Sequence, residues 1–489
     1  MGATALSFGA ADPGRAALFD AATGRWWTRG EVAAAVQTLA ETLAAPEKRL
    51  VVLVCRNRAP VVIAYLAALE AGHAVALLGG AVNPAFRRDL VARYRPELVL
   101  AGPDDLDPDA VPTGYALDDA AAAPLRLWRR ADGAQGPLHP DLAVLLPTSG
   151  STGSPKLVRL SRASLEANAR AIGATLDLDE GERPITSLPI SYSYGLSVLS
   201  SHLCAGASVV LSGDTVVSPT FWDLVRAQRC TSLAGVPYTY QVLHRVGFEN
   251  LVLPSLRTLT QAGGKLPDAL VARFAAHMRA AGGRFFVMYG ATEATARMAC
   301  LPAGELPRKL GSAGRAIPGG RFAIDAGGAL TDAPRTTGEV VYTGPNVMMG
   351  YATTREDLAL GDVTGGCLRT GDLGYLDEEG YLFLTGRTSR FAKLFGLRLD
   401  LDAVEAILRR RSPAAVVGTD EKLVAFCELA PDADLDACRL ELAAALAVPH
   451  RALELRRVAA LPLTANGKVD YARLQRDAAL DPAASAATV

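Results

Sequence analysis

Short apolar runs alternate with helical patterns through the first third of the chain. Leu50–Cys55 is an unbroken apolar run, Ala59–Ala71 has the length of a buried helix, and Ala74–Leu78 is apolar again. Two more runs, Leu98–Ala101 and Leu142–Leu146, continue the alternation. Strands that are apolar on both faces and are separated by helices are typical of parallel sheets covered on both sides, so the pattern predicts an α/β fold.

A polar loop follows the last of these runs, and residues 148–157 read TSGSTGSPKL. Apolar residues then recur at helical spacing from Leu165 to Ile172. Ser161 can cap this helix, and Gly173 is predicted to end it. The loop is therefore predicted to lie between a strand and a helix, where ligands commonly bind in α/β sheets.

The composition of the loop suits an anion. Glycines let backbone N–H groups approach a ligand closely, hydroxyls donate further hydrogen bonds, and Lys156 adds a positive charge. The P-loop pattern GxxxxGK[ST] is absent, because Lys156 is preceded by Pro155 and followed by Leu157. From these residues alone, a phosphate-binding loop and a flexible polar surface loop both remain open.

The pattern changes after about residue 386. Before it, glycine-rich segments with strand patterning read GEVVYTGPN, GCLRTGDLGYL and GYLFLTGR. After it, helices and strands alternate over a length that suits a small α+β domain. The elements predicted there, before a last loop and helix, are Ala403–Arg410, Ala414–Val417, Leu423–Leu429, Leu435–Leu446 and Leu453–Val458. The predicted domains are residues 1–386 and 387–489.

Composition argues against several classes of protein. The chain has 50 Lys and Arg against 51 Asp and Glu, so it lacks the basic excess of a nucleic-acid-binding protein. The longest apolar tract, Pro60–Leu78, is interrupted by Glu70 and His73, and predicts a buried helix and strand rather than a membrane span. The seven cysteines are dispersed, and the N-terminus lacks a signal-peptide pattern. We therefore expect a cytoplasmic protein without a nucleic-acid or membrane partner.

Six further motifs follow the polar loop, namely QAGGKLP (261–267), VMYGATEA (287–294), GEVVYTGPNVMMGY (338–351), LRTGDLGYL (368–376), GRTSRFAKLFGLRLD (386–400) and LPLTANGKVD (461–470). Together with the loop, they resemble the acyl- and aminoacyl-adenylating enzymes, from RWWTRGEV at 25–32 to NGKVD at 466–470. Each motif is weak alone, but seven in register are specific. The resemblance implies a large N-terminal domain of layered sheets and helices, and a small, mobile C-terminal domain.

The reaction implied by the resemblance joins a carboxylic acid to ATP. The carboxylate attacks the α-phosphate, which gives an acyl-adenylate and pyrophosphate, and a second nucleophile then takes the acyl group while AMP leaves. Thr292 is expected to contact the α-phosphate and Glu293 to bind Mg²⁺, which prefers oxygen ligands. The residues expected at the β- and γ-phosphates are Thr148, Ser149, Gly150, Ser151, Thr152, Gly153 and Lys156.

The same resemblance implies where the adenosine binds. Tyr289 and Gly290 are expected beside the adenine, and Gly263–Gly264 as another wall of the purine slot. Asp372 is expected to bind both ribose hydroxyls, since a carboxylate presents two acceptor oxygens to a vicinal diol. Arg387 is expected to reach the ribose or the phosphates.

Lys468 matches the catalytic lysine of the family, which is expected to bridge the carboxylate and the α-phosphate. Because Lys468 lies in the smaller domain, that domain must close for adenylation, and it is then expected to rotate and present Lys393–Gly396 to the acceptor. The chain departs from the family at the hinge, where Asp is usual and Ser389 stands, followed by Arg390. The energetics of the rotation are therefore an open question.

The acid pocket is expected around SYSYGLSV. Gly195 stands where amino-acid-activating members carry an Asp that pairs with the substrate's ammonium, and a closed ammonium without a partner would be costly. Tyr192 stands where many fatty-acyl and aryl-CoA ligases have His. The residues expected to line the pocket are uncharged and suit an apolar acyl or aryl acid, namely Tyr192, Tyr194, Gly195, Gly235, Val236, Ala262 and Ala291.

The acceptor stays open at the level of sequence. Relatives use CoA, carrier-protein phosphopantetheine or an amine, and we expect no carrier domain in this chain. A free-standing ligase that loads a thiol, either CoA or a separate acyl carrier protein, is the preferred interpretation. An amide-forming ligase and a stand-alone amino-acid-adenylating enzyme are alternatives. A regulatory member without catalysis is disfavoured, because the expected ATP-binding and catalytic residues are in place, namely Lys156, Glu293, Asp372, Arg387 and Lys468.

Overall fold

The computed structural model describes residues 12–80, 84–105, 114–118, 122–133, 135–147, 156–387, 391–394, 397–418, 422–462, 469 and 471–479. These residues form two compact units, a larger one up to residue 387 and a smaller one from residue 391 onward. Both units mix helices with sheets, so the α/β class expected from the sequence is confirmed.

The larger unit contains most of the secondary structure. Its helices are α1 (Arg29–Leu43), α2 (Ala59–Glu70), α3 (Pro84–Tyr94), α4 (Arg162–Leu176), α5 (Ser193–Cys204), α6 (Pro219–Ala227), α7 (Pro237–Arg245) and α8 (Asp268–Ala280). Its strands are β1 (Ala16–Asp20), β2 (Arg25–Thr28), β3 (Leu50–Cys55), β4 (Ala74–Gly79), β5 (Leu98–Ala101), β6 (Tyr115–Asp118), β7 (Arg126–Arg130), β8 (Leu142–Pro147), β9 (Leu157–Ser161), β10 (Pro184–Ile185), β11 (Val209–Leu211), β12 (Ser232–Gly235), β13 (Thr258–Gln261), β14 (Arg284–Tyr289), β15 (Ala299–Leu301), β16 (Arg315–Ala316), β17 (Arg321–Asp325), β18 (Leu330–Thr331), β19 (Gly338–Thr343), β20 (Gly350–Ala352), β21 (Cys367–Leu376) and β22 (Leu382–Arg387).

The first sheet contains the apolar runs that open the pattern. Its described strands lie in the order β20-β9-β8-β4-β3-β5-β7-β6, and the central strands β8, β4, β3 and β5 are parallel. All six residues of β3 are buried, as expected for a strand covered on both faces. The tract Pro60–Leu78 forms α2 and β4, as predicted.

The polar loop lies between two strands, so its predicted position between a strand and a helix is wrong. β8 pairs antiparallel with β9, with Pro147 opposite Leu157, and α4 begins only after β9. Arg159 concealed this strand by placing a charge in an apolar run. Its side chain is fully buried and donates hydrogen bonds to the carbonyls of Met349 and Tyr351, so the sheet satisfies the charge internally.

The helix after β9 also differs from its prediction at one end. Ser161 caps α4 as expected, because its hydroxyl accepts a hydrogen bond from the Ser164 N–H at 3.0 Å. The helix nevertheless continues through Gly173 to Leu176, whose side chain is buried in the core. Burial of that last turn outweighs the small helix penalty of one glycine.

The second sheet is described over the order β16-β15-β14-β13-β12-β10-β11-β1-β2. Strands β10 to β14 and β1 run parallel, and the antiparallel strands β15 and β16 at one end and β2 at the other complete the sheet. Gly235 pairs with Gln261, and Gln261 pairs with Val287. The carboxyl ends of β12, β13 and β14 therefore lie side by side at one edge of this sheet.

A third sheet is antiparallel and contains the glycine-rich segments. Its described order is β18-β17-β19-β21-β22, and β19, β21 and β22 come from the three segments predicted as strands. One apolar cluster packs α1, α2, α4 and α5 against the first two sheets and extends to β17, β19 and β21. The three sheets thus share one core, which holds their functional edges in place.

The smaller unit has the predicted α+β composition. Its described elements are β23 (Phe391–Leu394), β24 (Leu397–Asp400), α9 (Leu401–Leu408), β25 (Ala414–Gly418), β26 (Leu423–Cys427), α10 (Leu435–Leu446), β27 (Leu453–Arg457) and α11 (Tyr471–Ala479). The prediction of α10 agrees at both ends, and the hairpin of β23 and β24 was missed. No helix among the described residues is long and apolar enough to cross a membrane.

Candidate active site

The ends of three adjacent parallel strands bring most of the predicted pocket together. Gly235 ends β12 and is followed by Val236, Ala262–Gly264 follow β13, and Tyr289 ends β14 before Gly290 and Ala291. The register of these strands places the three segments at one edge of the second sheet. Residues that lie far apart in the sequence therefore share the position at which open α/β sheets bind ligands.

The first turn of α5 approaches this edge. The Tyr194 hydroxyl is 2.9 Å from the Thr260 carbonyl, to which it donates, and the rings of Tyr192 and Tyr194 are 6.4 Å apart in an edge-on contact. A Cβ built at Gly263 would lie 3.0 Å from the Tyr192 hydroxyl oxygen, and Gly263 has φ +86°. The strand end and the helix therefore approach as closely as a bare backbone allows.

Gly195 is required by the packing around it. A Cβ at this position would lie 2.2 Å from the Pro189 carbonyl oxygen, well inside contact distance. The acidic residue that amino-acid-activating members carry here would therefore need a different backbone. The structure explains the glycine by the path of the chain at 188–189.

The turn after β14 presents Thr292 and Glu293. Gly290 is again required, because a Cβ there would overlap the Ala296 carbonyl oxygen at 1.6 Å. The Asn346 side chain donates to the carbonyls of Ala294 and Arg297, at 2.8 Å each, and so fixes the far side of the turn. On the near side, the Thr292 hydroxyl is 3.1 Å from that of Ser193 at the start of α5.

Tyr351 links two predicted site residues. Its hydroxyl donates to Glu293 Oε1 at 2.9 Å, and Lys156 Nζ lies 3.2 Å from the centroid of its ring. Tyr351 lies in β20, which pairs with β9 next to Lys156. The predicted metal carboxylate and the predicted phosphate lysine are therefore held against opposite parts of one side chain.

Tyr289 and Asp372 lie at hydrogen-bonding distance although they come from different sheets. The Tyr289 hydroxyl donates to Asp372 Oδ2 at 2.5 Å, and Asp372 is 5% exposed. Asp372 in β21 pairs in register with Arg387 in β22. Arg387 thus belongs to a strand of the larger unit, although the predicted boundary assigned it to the smaller domain, because its strand pairs with β21.

Arg297 adds a charge that the sequence analysis did not expect in the pocket. It lies four residues after Glu293, is 2% exposed, and its guanidinium carbon is 4.5 Å from the centroid of the Tyr194 ring. Desolvation by burial lowers the pKa of Arg297. The predicted pocket residues carry no charge, so this cation changes the chemistry of the region beside Tyr194.

Some predicted residues lie outside the described part of the chain. They are Thr148, Ser149, Gly150, Ser151, Thr152, Gly153, Ser389, Arg390 and Lys468, together with the side chains of Arg387 and Lys393. Their predicted roles at the phosphates, the hinge and the reacting carboxylate stay predictions.

Glu293 suits the magnesium ion that the resemblance implies. The described residues contain no group of three or more His, Cys, Asp or Glu side chains that would enclose a metal. Mg²⁺ usually keeps several waters and binds through one or two carboxylates together with substrate phosphates. A single carboxylate held by Tyr351, with Lys156 on the ring of the same tyrosine, fits that mode of binding.

Sequence reasoning missed three residues of this site. Tyr351 was quoted within a motif but received no role, Arg297 was hidden in the run ARMAC, and Asn346 was one polar residue in a glycine-rich loop. A buried-position charge in an otherwise apolar run was the available signal for Arg297. The roles of Tyr351 and Asn346 depend on contacts between distant segments, which no local pattern contains.

Comparison with known proteins supports the family that the motifs predict. The sequence model of the family described as AMP-binding enzyme matches residues 7–352. The chain is 32% identical over 473 residues to L-proline–[L-prolyl-carrier protein] ligase of Streptomyces coelicolor, a match that covers 87% of this chain and 86% of that protein. It is 31% identical over 351 residues to oxalate–CoA ligase of Arabidopsis thaliana, which covers 68% of this chain and 66% of that ligase's length.

Solved structures show the same fold. A double mutant of o-succinylbenzoate CoA synthetase from Bacillus subtilis, bound to a product analogue, has a TM-score of 0.78 at 24% identity and covers 95% of this chain and 96% of its own. The same synthetase in complex with ATP and magnesium ion has a TM-score of 0.65 at 25% identity, with 95% and 97% covered.

Proposed function

The chain belongs to the family of AMP-binding enzymes, and from this membership we propose that it is an acid–thiol ligase that forms an acyl-adenylate. It would activate a carboxylic acid with ATP, release pyrophosphate, and transfer the acyl group to a thiol with release of AMP. The observation that carries the proposal is the meeting of Lys156 and Glu293 on Tyr351, at the edge where the strand ends lie.

The charges of this group suit the first half-reaction. The reacting carboxylate and the triphosphate are both anions, so their approach needs positive charge and oriented donors. Lys156 supplies a cation, and the Thr292 hydroxyl lies at the first residue of the turn that holds Glu293. The magnesium ion, when bound at Glu293, would neutralise phosphate charge and orient the leaving pyrophosphate.

The adenosine would bind on the other side of the turn. Asp372 accepts a hydrogen bond from Tyr289, and its carboxylate presents the acceptor oxygens that a ribose diol requires. Gln261 donates from its side chain to the Gly264 carbonyl at 2.7 Å, which shapes the turn after β13. We propose that the purine lies between this turn and Tyr289.

In the first step, a carboxylate oxygen of the acid would attack the α-phosphorus of ATP. A C–O–P linkage forms while the bond to the β-phosphate oxygen breaks, and pyrophosphate leaves with the electron pair of that bond. In the second step, a thiolate would attack the acyl carbon, the thioester forms, and AMP leaves. In this proposal, Lys468 from the smaller domain (387–489) acts in the first step on groups bound by the larger domain (1–386).

An α-amino acid is disfavoured as the substrate, although one relative is an L-proline ligase. The packing against Pro189 excludes an acidic side chain at Gly195. Arg297 beside Tyr194 would also repel an ammonium group. The proposed substrate is therefore a carboxylic acid without a cationic amine. The thiol would be CoA or the phosphopantetheine of a separate carrier protein, and an amine acceptor would make the enzyme an amide-forming ligase.

The proposed compartment is the cytoplasm. The seven cysteines at positions 55, 204, 230, 300, 367, 427 and 438 all lie among the described residues, and none is paired. Free thiols of this number favour a reducing compartment.

ATP–pyrophosphate exchange tests the proposal without assuming an acceptor. The purified protein would be assayed with short, medium and long fatty acids, aryl acids, dicarboxylic acids and amino acids. Exchange with one class is expected, followed by AMP release when CoA, a phosphopantetheinylated carrier protein or an amine is added. AMP binding without exchange for any acid would contradict the proposal and favour a regulatory protein.

Tyr351→Phe is expected to weaken the dependence on magnesium. The variant keeps the ring beneath Lys156 but loses the hydroxyl that orients Glu293. Loss of such an orienting partner typically lowers metal affinity by about tenfold or more. The measurement is the Mg²⁺ concentration that gives half-maximal exchange, with Tyr375→Phe in β21 as the matched control. An unchanged magnesium dependence in Tyr351→Phe would contradict the role given to the hydroxyl.

A further inference from the structure

Arg297 is a buried cation whose partner is missing from the described part of the protein. Its guanidinium has no ion pair and no hydrogen bond to any described residue, and its Nε is buried without an acceptor. Desolvation by burial lowers the pKa of Arg297. The groups that act in the opposite direction on this pKa are Tyr194, Cys300 and Tyr192, and none of them is a carboxyl group. The stacking on Tyr194 is the principal interaction of the charge.

The cation borders a small cavity whose lining is mainly apolar but includes several polar side chains. The cavity has a volume of about 20 Å³, room for roughly one water, and lies between α4, α5 and strands β12, β13 and β14. Its described lining includes the side chains of Ser197, Ser201, His202 and Thr258, and no Asp or Glu. His202 Nε2 and Thr258 Oγ1 are also buried without hydrogen-bond partners. His202 Nδ1 donates to the Val198 carbonyl at 2.8 Å, so the Nε2 of this imidazole is an acceptor. The Arg297 guanidinium, the Thr258 hydroxyl and His202 Nε2 therefore face a space whose described lining holds no anion.

This arrangement is unfavourable for the folded chain by itself. Burying an ionised group without a counter-charge costs free energy, and a cation–π contact offsets only part of that cost. Methionine or leucine would fill the same volume without the penalty. Desolvation lowers the pKa of His202 to about 4, so this imidazole is neutral near pH 7 and adds no second positive charge. Arg297 is thus the single source of charge among the described lining residues.

The location connects the cavity to the proposed acid site. Thr260 lines it, one residue before Gln261 and Ala262, and Met288 lines it, one residue before Tyr289. Tyr194 lies in its wall and is itself a predicted pocket residue. The cavity therefore extends to within one residue of the strand ends at which the reacting carboxylate is proposed to bind.

We propose that Arg297 binds a second carboxylate of the substrate, so that the acid activated by this enzyme is a dicarboxylic acid. The inference rests on the proposed function and specifies its substrate class. One carboxylate of the acid reacts near Thr292, and the other takes the place of the missing counter-ion on Arg297, with the Thr258 hydroxyl as a further donor. A carboxylate is larger than one water, so its entry displaces the flexible side chain of Met288. The body of the acid between the two carboxylates remains acyl or aryl.

The test compares matched acids on matched variants by ATP–pyrophosphate exchange. Each dicarboxylic acid is paired with the monocarboxylic acid of the same length, such as glutarate with pentanoate and phthalate with benzoate. The variants are Arg297→Met, which removes the charge at similar volume, and Arg297→Lys, which keeps it. Arg284→Met is the control, because Arg284 lies over the Phe286 ring on the same sheet but does not line the cavity. The melting temperature of each variant is measured alongside.

The wild-type enzyme is expected to prefer the dicarboxylic member of at least one pair. Arg297→Met should lower kcat/KM for that acid by about a hundredfold relative to its monocarboxylic partner, with Arg297→Lys between the two. Arg297→Met should also melt at a higher temperature in the absence of substrate, since an uncompensated charge is removed. Arg284→Met should keep the wild-type preference.

Two outcomes would overturn the inference in different ways. Exchange with monocarboxylic acids in a ratio that Arg297→Met leaves unchanged would overturn the role of Arg297 while the proposed function stands. No exchange with any acid, in a wild-type protein that still binds AMP, would overturn the proposed function and this inference together. A lower melting temperature for Arg297→Met would assign the arginine a purely structural role, and it too would overturn the inference.

Discussion

Replacing Glu293 with glutamine is expected to slow adenylation by about a hundred- to a thousandfold. Glutamine has the same size and keeps a carbonyl oxygen that can accept the hydrogen bond from Tyr351. The turn should therefore stay in place, because Asn346 holds it through backbone carbonyls. What is lost is the negative charge proposed to hold magnesium against the phosphates. The measurement is the rate of ATP–pyrophosphate exchange at saturating acid and magnesium.

A matched control separates this effect from a general loss of charge. Glu305→Gln removes a carboxylate that pairs with Arg308 at the surface, and exchange should stay within about twofold of wild type. The melting temperature of Glu293→Gln should equal that of wild type within a few degrees, because the Glu293 side chain makes no ion pair with any described residue. If Glu293→Gln exchanged pyrophosphate at the wild-type rate, the metal role of this carboxylate would be wrong.

Lys468→Ala is expected to reduce adenylation by about a thousandfold and to leave the fold intact. The sequence context LPLTANGKVD assigns this residue to the transition state of the first step, where it would bridge the attacking carboxylate and the α-phosphate. Interactions made only in the transition state lower kcat when they are removed, with little change in KM. Steady-state exchange at several ATP concentrations measures both constants.

The two half-reactions should respond differently to this variant. Transfer of the acyl group from a supplied acyl-adenylate to the thiol should proceed at nearly the wild-type rate, because the lysine is proposed to act before that step. Lys422→Ala in the same unit, which removes an ion pair with Glu454, should affect neither half-reaction. Adenylation at an unchanged rate in Lys468→Ala, or equal losses in both half-reactions, would refute the role assigned to Lys468.

Local patterns predicted many of the elements because their causes are local. β3 and α10 agree with their predicted bounds, since each is a run whose apolar spacing and flanking residues mark both ends. The prediction missed β9 because the residues that stabilise this strand lie elsewhere in the chain. Arg159 is tolerated in a buried strand only because carbonyls from residues 349–361 accept its hydrogen bonds. The helix α4 likewise continues beyond Gly173, because its last turn buries Leu176 in the core.

For the candidate site, too, local motifs predicted some features and contacts between distant segments decided the others. Motifs named Thr292, Glu293 and Asp372, because phosphate, metal and ribose chemistry each require particular side chains within short segments. No motif indicated that Tyr351 contacts both Glu293 and Lys156, because these three residues come from separate segments of the chain. The expectation of an uncharged pocket likewise lacked Arg297, whose proximity to Tyr194 arises only when the segment before β15 packs against α5.

By itself, the sequence determined the alternation of strands and helices, the family, and the residue types that the chemistry of adenylation requires. These properties depend on spacing and on side-chain chemistry within short stretches, and both can be read directly from the order of residues. The tertiary structure alone decided which of those residues meet, that Gly195 and Gly290 admit no side chain, and that Arg297 is buried without a counter-charge from the described residues. Close packing decides such matters, because contact distance, burial and compensation of charge depend on which segments the fold brings together.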